Sequence, residues 1–336
     1  MKKALSIGVM VAISVVTNAQ LKVVKTLKIG GLGGWDYLAV QPNSNRLFVS
    51  HASQVNVIDK NTGDSIGVIA NTSGVHGIAF VPELNKGYTT NGKTNNASVL
   101  NLKTLEVTGT VATGEKPDAI FYDASIKKVV VCNGKSKDLS FIDPSTDKVV
   151  ATVAVGGAPE TAVSDGAGKI FVNLEDKSEV VAIDTKTFKV LAHWSIAPGE
   201  APTGLAIDTK TKRLFAACGD NKMLIVLNAE TGAIVANLPI GGGCDGNAFD
   251  ETTKNIYTSN GENGTITVIH EDNANKFSVI ENAVTKKGAR TIALDEKTHL
   301  LYTPTADFSA LKTSSIGKPG RPVAIPGTFQ VLVVGK

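Results

Sequence analysis

The sequence repeats itself every 40 to 45 residues from Trp35 to near its end. In each repeat, one column of this pattern falls just before or at the start of a short apolar run. Its members are Asp36, His76, Asp118, Glu160, Thr203, Asp245 and Arg290. The ends of the following apolar runs keep the same period, as in Tyr-Thr-Thr-Asn at 88–91 and Tyr-Thr-Ser-Asn at 257–260. Columns that share one period of this length predict a repeat architecture.

A single repeat contains four candidate strands. In the third copy these are Ala119–Tyr122, Lys128–Cys132, Leu139–Asp143 and Val149–Val155, which are rich in Val, Ile and Phe. Turn-forming Asp, Asn, Gly, Pro and Ser residues separate them. Seven such units predict an all-β fold, a seven-bladed β-propeller with four-stranded antiparallel blades.

The last repeat is one strand short. After the run Phe329–Val334 the sequence ends without a fourth strand, whereas Leu21–Ile29 lies before the first repeat and resembles fourth strands such as Val149–Val155. We therefore predict that the N-terminal strand completes the C-terminal blade. This closure would pair two sheet edges that would otherwise be exposed.

The repeat motifs resemble those of the YVTN repeat family. The resemblance rests on Tyr-Thr-Thr-Asn and Tyr-Thr-Ser-Asn, and on Ile-Asp followed by Thr three residues after the Asp, as in Asp143/Thr146 and Asp184/Thr187. Across all seven repeats the chain is similar to YncE-like periplasmic propellers. The resemblance implies a secreted or periplasmic binding propeller, and it transfers no catalytic residue.

The first 19 residues have the pattern of a signal peptide. Lys2 and Lys3 precede the apolar run Ala4–Val16, and a small residue, Ala19, stands before the expected cut. We expect residues 20–336 to form a single propeller domain in the periplasm or outside the cell. No other stretch suggests a membrane span.

The charge balance argues against a nucleic-acid-binding surface. The formal net charge is only +3, and the four arginines do not cluster in the sequence. Nucleic acid is therefore a disfavoured partner, and the expected partners are a protein, a peptide or a small polar ligand. We expect a monomer.

The first strand of each propeller blade lines the central channel, so one column of side chains converges at the channel mouth. We call this column the ring; it mixes four carboxylates with an imidazole, a hydroxyl and a guanidinium. The candidate ligand-binding residues are Asp36, His76, Asp118, Glu160, Thr203, Asp245, Arg290 and the neighbouring Trp35. Convergent polar groups favour a binding site, although a hydrated and internally ion-paired ring is the alternative. Trp35 could stack on a ligand or cover the end of the first blade.

A divalent metal is a possible cofactor at the same mouth. His51 ends the second strand of the first blade, and it is expected to lie on the same face as His76, Asp36 and Asp118. These four residues are the candidate metal ligands, and two hydrated histidines are the alternative. The main functional hypothesis is a non-catalytic binding scaffold; the alternative is a metal-assisted lactonase- or lyase-type enzyme.

One segment interrupts the repeat. Between the second and third strands of the last blade, Thr305–Thr328 replaces turns of a few residues. Long loops on a rigid scaffold often bind ligands, although a tolerated surface insertion is equally consistent with its length. The topology predicts that this loop lies on the face of the ring, next to Arg290.

Overall fold

The computed structural model describes residues 20–309 and 323–336, and these form 28 strands with two short 3-10 helices, Pro82–Leu84 and Glu175–Lys177. The strands, in chain order, are β1 (Lys22–Lys28), β2 (Leu38–Val40), β3 (Arg46–His51), β4 (Gln54–Asp59), β5 (Ser65–Ile69), β6 (Val75–Val81), β7 (Lys86–Asn91), β8 (Asn96–Asn101), β9 (Glu106–Ala112), β10 (Pro117–Asp123), β11 (Lys128–Asn133), β12 (Asp138–Asp143), β13 (Lys148–Ala154), β14 (Pro159–Ser164), β15 (Lys169–Leu174), β16 (Glu179–Asp184), β17 (Lys189–Ser195), β18 (Pro202–Asp208), β19 (Arg213–Cys218), β20 (Met223–Asn228), β21 (Ile234–Pro239), β22 (Cys244–Asp250), β23 (Asn255–Asn260), β24 (Thr265–Asn273), β25 (Lys276–Val284), β26 (Ala293–Asp295), β27 (Leu300–Thr305) and β28 (Gln330–Gly335).

The strands form seven four-stranded antiparallel sheets, so the predicted seven-bladed propeller is confirmed. Blades 1 to 6 are the consecutive quartets from β2–β5 to β22–β25, and blade 7 has the order β1-β28-β27-β26. Neither 3-10 helix within the described ranges is long and apolar enough to cross a membrane. The predicted signal peptide, residues 1–19, lies outside the described residues.

The blades are held together by apolar clusters that each lie between two neighbouring blades. In β11, Val129 and Val131 pack in the cluster shared with blade 2, whereas Val130 and Cys132 pack in the cluster shared with blade 4. Successive side chains of a strand point to opposite faces, so a strand that is buried on both faces requires an unbroken apolar run. The run Val-Val-Val-Cys at 129–132 is such a strand.

The N-terminal strand closes the circle of seven blades, as the sequence predicts. In blade 7, β1 pairs antiparallel with β28, from Lys22 opposite Gly335 to Lys28 opposite Gln330. The fully buried Leu27 of β1 belongs to the apolar cluster between blades 7 and 1. The joint between the two ends of the chain therefore carries the same kind of core as the other six joints.

Truncating Leu27 to Ala is expected to lower the free energy of unfolding by about 2–5 kcal/mol, because the cavity opens inside the closing joint. The exposed neighbour Thr26, on the same strand, is the matched control, and Thr26→Ala should change stability by less than about 0.5 kcal/mol. Urea denaturation measures both variants. Equal stability of the two would contradict closure through β1.

On the face opposite the ring, Asp residues at the ends of first strands join neighbouring blades. One oxygen of Asp208 accepts from the Lys210 backbone N–H at 2.8 Å in its own turn, and the other pairs with Lys254 of the next blade at 2.7 Å. The Asp295 carboxylate likewise pairs with Lys60 at 2.8 Å across the closing joint, where both side chains are buried. These carboxylates therefore stabilise a turn and a blade interface together.

At the interface of blades 5 and 6 a second carboxyl, Glu271, lies beside Asp208. Glu271 is only 3% exposed, and one of its oxygens accepts a hydrogen bond from the Thr211 hydroxyl at 2.7 Å. Burial, followed by the hydrogen bond and charge of Asp208, raises the pKa of Glu271 to about 6, although Thr211 and Lys254 oppose the shift. The pair is therefore favourable when Glu271 carries a proton.

A folded-state pKa above the unfolded value gives a contribution to stability that is present at low pH and is lost as pH rises through about 6. We expect Glu271→Gln to match the parent near pH 4 and to be more stable above pH 7, by at most about 2 kcal/mol. Thermal melts from pH 4 to pH 8 measure this difference, with the exposed Glu296→Gln as control. A constant difference at all pH values would contradict a buried, protonated Glu271.

Candidate functional site at the channel mouth

The ring residues occupy equivalent places in all seven blades. Five of them are the second residues of first strands, whereas Asp36 and Arg290 stand just before the three-residue strands β2 and β26. Hydroxyl groups of neighbouring blades fix the backbone at these positions. Thr291 Oγ1 donates to the Asp36 carbonyl at 2.7 Å, and Thr90 Oγ1 donates to the Asp118 carbonyl. The ring is therefore held by contacts between blades as well as within them.

The structure brings Asp36, His76 and Asp118 together on one side of the mouth. His76 Nδ1 lies 2.6 Å from Asp36 Oδ2 and 3.5 Å from Asp118 Oδ1. One potential ligand atom from each residue lies within 4.8 Å of the others. Since Nδ1 hydrogen-bonds to Asp36, the buried Asp118 Oδ1 is left without a hydrogen-bond partner. We call these three residues the donor triad.

Arg290 pairs with two carboxylates of the mouth, one of which belongs to the donor triad. Its Nη1 lies 2.5 Å from Asp245 Oδ2, and its Nη2 lies 3.7 Å from Asp36 Oδ1 and donates to the Trp35 carbonyl at 2.9 Å. Burial would lower the pKa of Arg290, but the negative charges of Asp245 and Asp36 raise it. Arg290 therefore pairs with Asp36 and Asp245, and these contacts fix the orientation of its guanidinium group.

The two remaining ring residues differ in what they offer a ligand. The Thr203 hydroxyl donates to the Cys244 carbonyl at 2.7 Å, which links blades 5 and 6. Glu160 is half-buried, and among the described residues it forms no ion pair within 4.0 Å. Glu160 and Asp118 thus supply the carboxylates that Arg290 does not contact.

The carboxyl groups of the mouth bind protons more tightly than isolated ones. Burial and the charge of Asp36 raise the pKa of Asp118 to about 6, with partial opposition from His76. Burial also raises the pKa of Asp245 to about 6, although Arg290 opposes this. For Glu160, burial and then the charge of Asp118 raise the pKa well above its usual range. Burial would lower the pKa of His76, but its hydrogen bond to Asp36 and the charge of Asp118 raise it.

Tyr37 is a member of the site that the sequence reasoning missed. It belongs to blade 1, yet its ring packs against the apolar cluster between blades 3 and 4, so it crosses the channel. Burial and the charges of Glu160 and Asp118 raise the pKa of its phenol well above the usual range. A signal exists in the repeat, because the column that follows the ring is otherwise small: Gly77, Ala119, Thr161, Gly204, Gly246 and Thr291.

The position of Tyr37 generates a stability prediction. Replacement by Ala removes the contact across the channel and is expected to cost about 2–4 kcal/mol. Replacement by Phe keeps that contact and should cost less than about 1 kcal/mol. Urea unfolding compares the two variants. If Tyr37→Ala were as stable as Tyr37→Phe, the aromatic side chain of Tyr37 would not bridge the blades.

Trp35 and His51 pack at the closing joint. The Trp35 ring stacks on Phe329 with centroids 5.2 Å apart, and it lies 6.1 Å from Phe308. His51 is 2% exposed; its Nδ1 lies 3.2 Å from Asn56 Oδ1, and its ring lies 4.4 Å from that of Phe329. His51 is therefore separate from the donor triad, and Trp35 packs against the apolar cluster between blades 7 and 1.

Cavities occur on both faces. The larger, of about 900 Å³, is lined by Lys60 and Asp295, whose charges already pair with each other. A cavity of about 440 Å³ adjoins the mouth and is lined by Arg290 and by Phe308, from the described start of the long loop. Residues 310–322 of that loop lie outside the described residues. The unpartnered carboxylate oxygen at the mouth makes that face the candidate site.

Comparisons with known proteins agree with the fold. The family model of YNCE-like beta-propellers matches residues 67–302. No curated protein matches the sequence. Among solved structures, hydrazine synthase of Kuenenia stuttgartiensis is similar, with a TM-score of 0.72 over 83% of this chain and 94% of that chain. The sequences are 16% identical, so this similarity concerns the fold alone.

Proposed function

Because the chain belongs to the YNCE-like beta-propeller family, we propose that it is a binding scaffold whose ligand site is the acidic channel mouth. The ligand is a small polar molecule, or a group on a peptide or protein, that carries a positive charge. Seven rigid blades hold the ring residues in place before the ligand arrives, which reduces the entropy that binding must overcome.

The observation that carries the proposal is the surplus of carboxylates at the mouth. Arg290 is the permanent cation of the ring, and it contacts Asp245 and Asp36. The side that holds Asp118 and Glu160 has no ring cation apart from the imidazole, and Asp118 Oδ1 lacks a hydrogen-bond partner. A partly buried surplus of negative charge attracts cationic groups and repels anionic ones.

The location of the protein belongs to the same proposal. The basic and apolar pattern of residues 1–19 supports export to the periplasm or the outside of the cell. The modest net charge of +3 supports a protein, peptide or small-molecule ligand over nucleic acid. We propose that the protein acts as a monomer, because one chain supplies all seven blades.

A metal-assisted lactonase- or lyase-type enzyme at the same mouth is the second candidate. The donor triad favours it, because such chemistry needs an ion bound by protein ligands with a position left open. The two candidates differ in that only the enzyme requires turnover that depends on an added ion.

Matched diamine and dicarboxylate probes test the binding proposal. Putrescine and succinate have similar chain lengths and opposite charges. We expect putrescine, added to EDTA-treated protein, to raise the melting temperature and to bind in calorimetry, whereas succinate does neither. The double variant Asp118→Asn with Glu160→Gln should bind putrescine at least about tenfold more weakly, because it loses both uncompensated carboxylates.

A second double variant serves as the matched control, because it removes two negative charges from the face opposite the channel mouth. Glu251→Gln with Glu296→Gln removes two exposed carboxylates from turns opposite the ring. It should bind putrescine like the parent. Equal binding of putrescine and succinate, or equal losses in the two double variants, would exclude a cation site at the mouth.

A further inference from the structure

We infer that the donor triad, Asp36, His76 and Asp118, is a binding site for a divalent transition-metal ion. This inference rests on the proposed function, because it identifies one class of cation that the acidic mouth takes. It is carried by three independent observations, namely the spacing of the donor atoms, the unpartnered oxygen of Asp118 and the packing that orients the imidazole.

The spacing of the donor atoms is close to that of a metal's first shell. Metal–oxygen and metal–nitrogen bonds of about 2.1 Å place neighbouring donors about 3.0–3.5 Å apart. His76 Nδ1 lies 2.6 Å from Asp36 Oδ2 and 3.5 Å from Asp118 Oδ1. An ion between these atoms therefore requires the Asp36 carboxylate to move away from His76 Nδ1 by a few tenths of an ångström, and the three donor atoms already lie within 4.8 Å of one another.

The oxygen of Asp118 needs a partner that the described residues do not supply. The residue is 6% exposed, and its Oδ1 is buried without a hydrogen bond. A buried carboxylate oxygen without a hydrogen bond is costly, because it has lost its water, and His76 Nδ1 at 3.5 Å hydrogen-bonds to Asp36 instead. The Thr90 hydroxyl holds the Asp118 carbonyl in place, so the residue is fixed. A cation at this oxygen would remove the cost.

The packing around His76 orients its imidazole so that Nδ1 faces the two carboxylates. A Cβ placed on Gly92 would lie 2.7 Å from His76 Nε2 and 3.0 Å from its Cδ2. The imidazole therefore rests directly on the Gly92 backbone, and Nδ1 faces Asp36 and Asp118. This contact also provides a variant, Gly92→Ala, that displaces the imidazole without changing any charge of the mouth.

The chemistry of the donors selects the class of ion. Imidazole nitrogen suits zinc, iron, copper and nickel, whereas carboxylate oxygen suits manganese, calcium and magnesium. A set of one imidazole and two carboxylates thus favours Zn²⁺ or Mn²⁺ over Ca²⁺ and Mg²⁺, which take oxygen ligands. Three protein ligands leave at least one coordination position for water or for a polar group of a ligand.

The experiment measures ion binding to EDTA-treated, desalted protein by calorimetry, with Zn²⁺ and Mn²⁺ as probes and Ca²⁺ and Mg²⁺ as comparisons. We expect one ion per chain and at least about tenfold weaker binding of Ca²⁺ and Mg²⁺. His76→Ala and Asp118→Asn should each weaken Zn²⁺ binding by at least about thirtyfold, and Gly92→Ala by about tenfold or more.

Glu175→Gln is the matched control. The charge of Glu175 acts on Glu160 and Asp245, so the control removes a negative charge near the mouth but no donor of the triad. It should weaken Zn²⁺ binding by less than about threefold. Far-ultraviolet circular dichroism and melting curves establish whether each variant folds. If Asp118→Asn does not fold, Gly92→Ala supplies the second test.

The outcomes separate this inference from the proposed function. Loss of Zn²⁺ binding in the triad variants, with retention in Glu175→Gln, supports the metal site. Absence of Zn²⁺ and Mn²⁺ binding, or full binding by Asp118→Asn, would overturn it and leave a proton as the partner of Asp118. If no metal ion bound but putrescine did, the acidic mouth would remain a cation site without a metal. If neither putrescine nor a metal ion bound, both proposals would fail.

Discussion

The fold depends on apolar strands that are buried on both faces. Only a closed circle of blades can bury both faces of every blade. A blade in the middle of the chain contacts a neighbour on each side, as β11 does through Val129 and Val130. A blade at either end of an open array would expose one of its two apolar faces to water. Pairing β1 with β28 removes those ends and buries Leu27 in the last joint.

Closure also creates the channel mouth. Once seven first strands surround one axis, side chains that are 40 to 45 residues apart in sequence come within hydrogen-bonding distance, as Asp36 and His76 do at 2.6 Å. Like charges brought together in this way raise the pKa of Asp118 and of Glu160, after burial. Hydroxyl contacts such as Thr291 to the Asp36 carbonyl hold the backbone at these positions, so the ring residues stay close together despite this electrostatic cost.

The repeat made most of the architecture predictable. The period, the number of strands per unit and the missing fourth strand led to seven blades and to closure by residues 21–29, and the observed strand β1 covers Lys22–Lys28. The repeat also indicated which residues form the ring, because equivalent positions of a propeller lie at equivalent heights in the channel. Tyr37 stands out by its size in the repeat, but the sequence did not reveal its contact across the channel, since the blades that its phenol group contacts are far from it in the chain.

The sequence by itself therefore determined the blade, the number of blades and the membership of the ring, because these follow from periodicity and from alternation along a strand. Only the tertiary structure decided which ring members meet. It joined His76 to Asp36 and Asp118, assigned Arg290 to Asp245, and placed His51 against Phe329 instead of in the donor triad. The physical reason is that these contacts depend on side-chain directions and on packing between blades, which a periodic pattern does not specify.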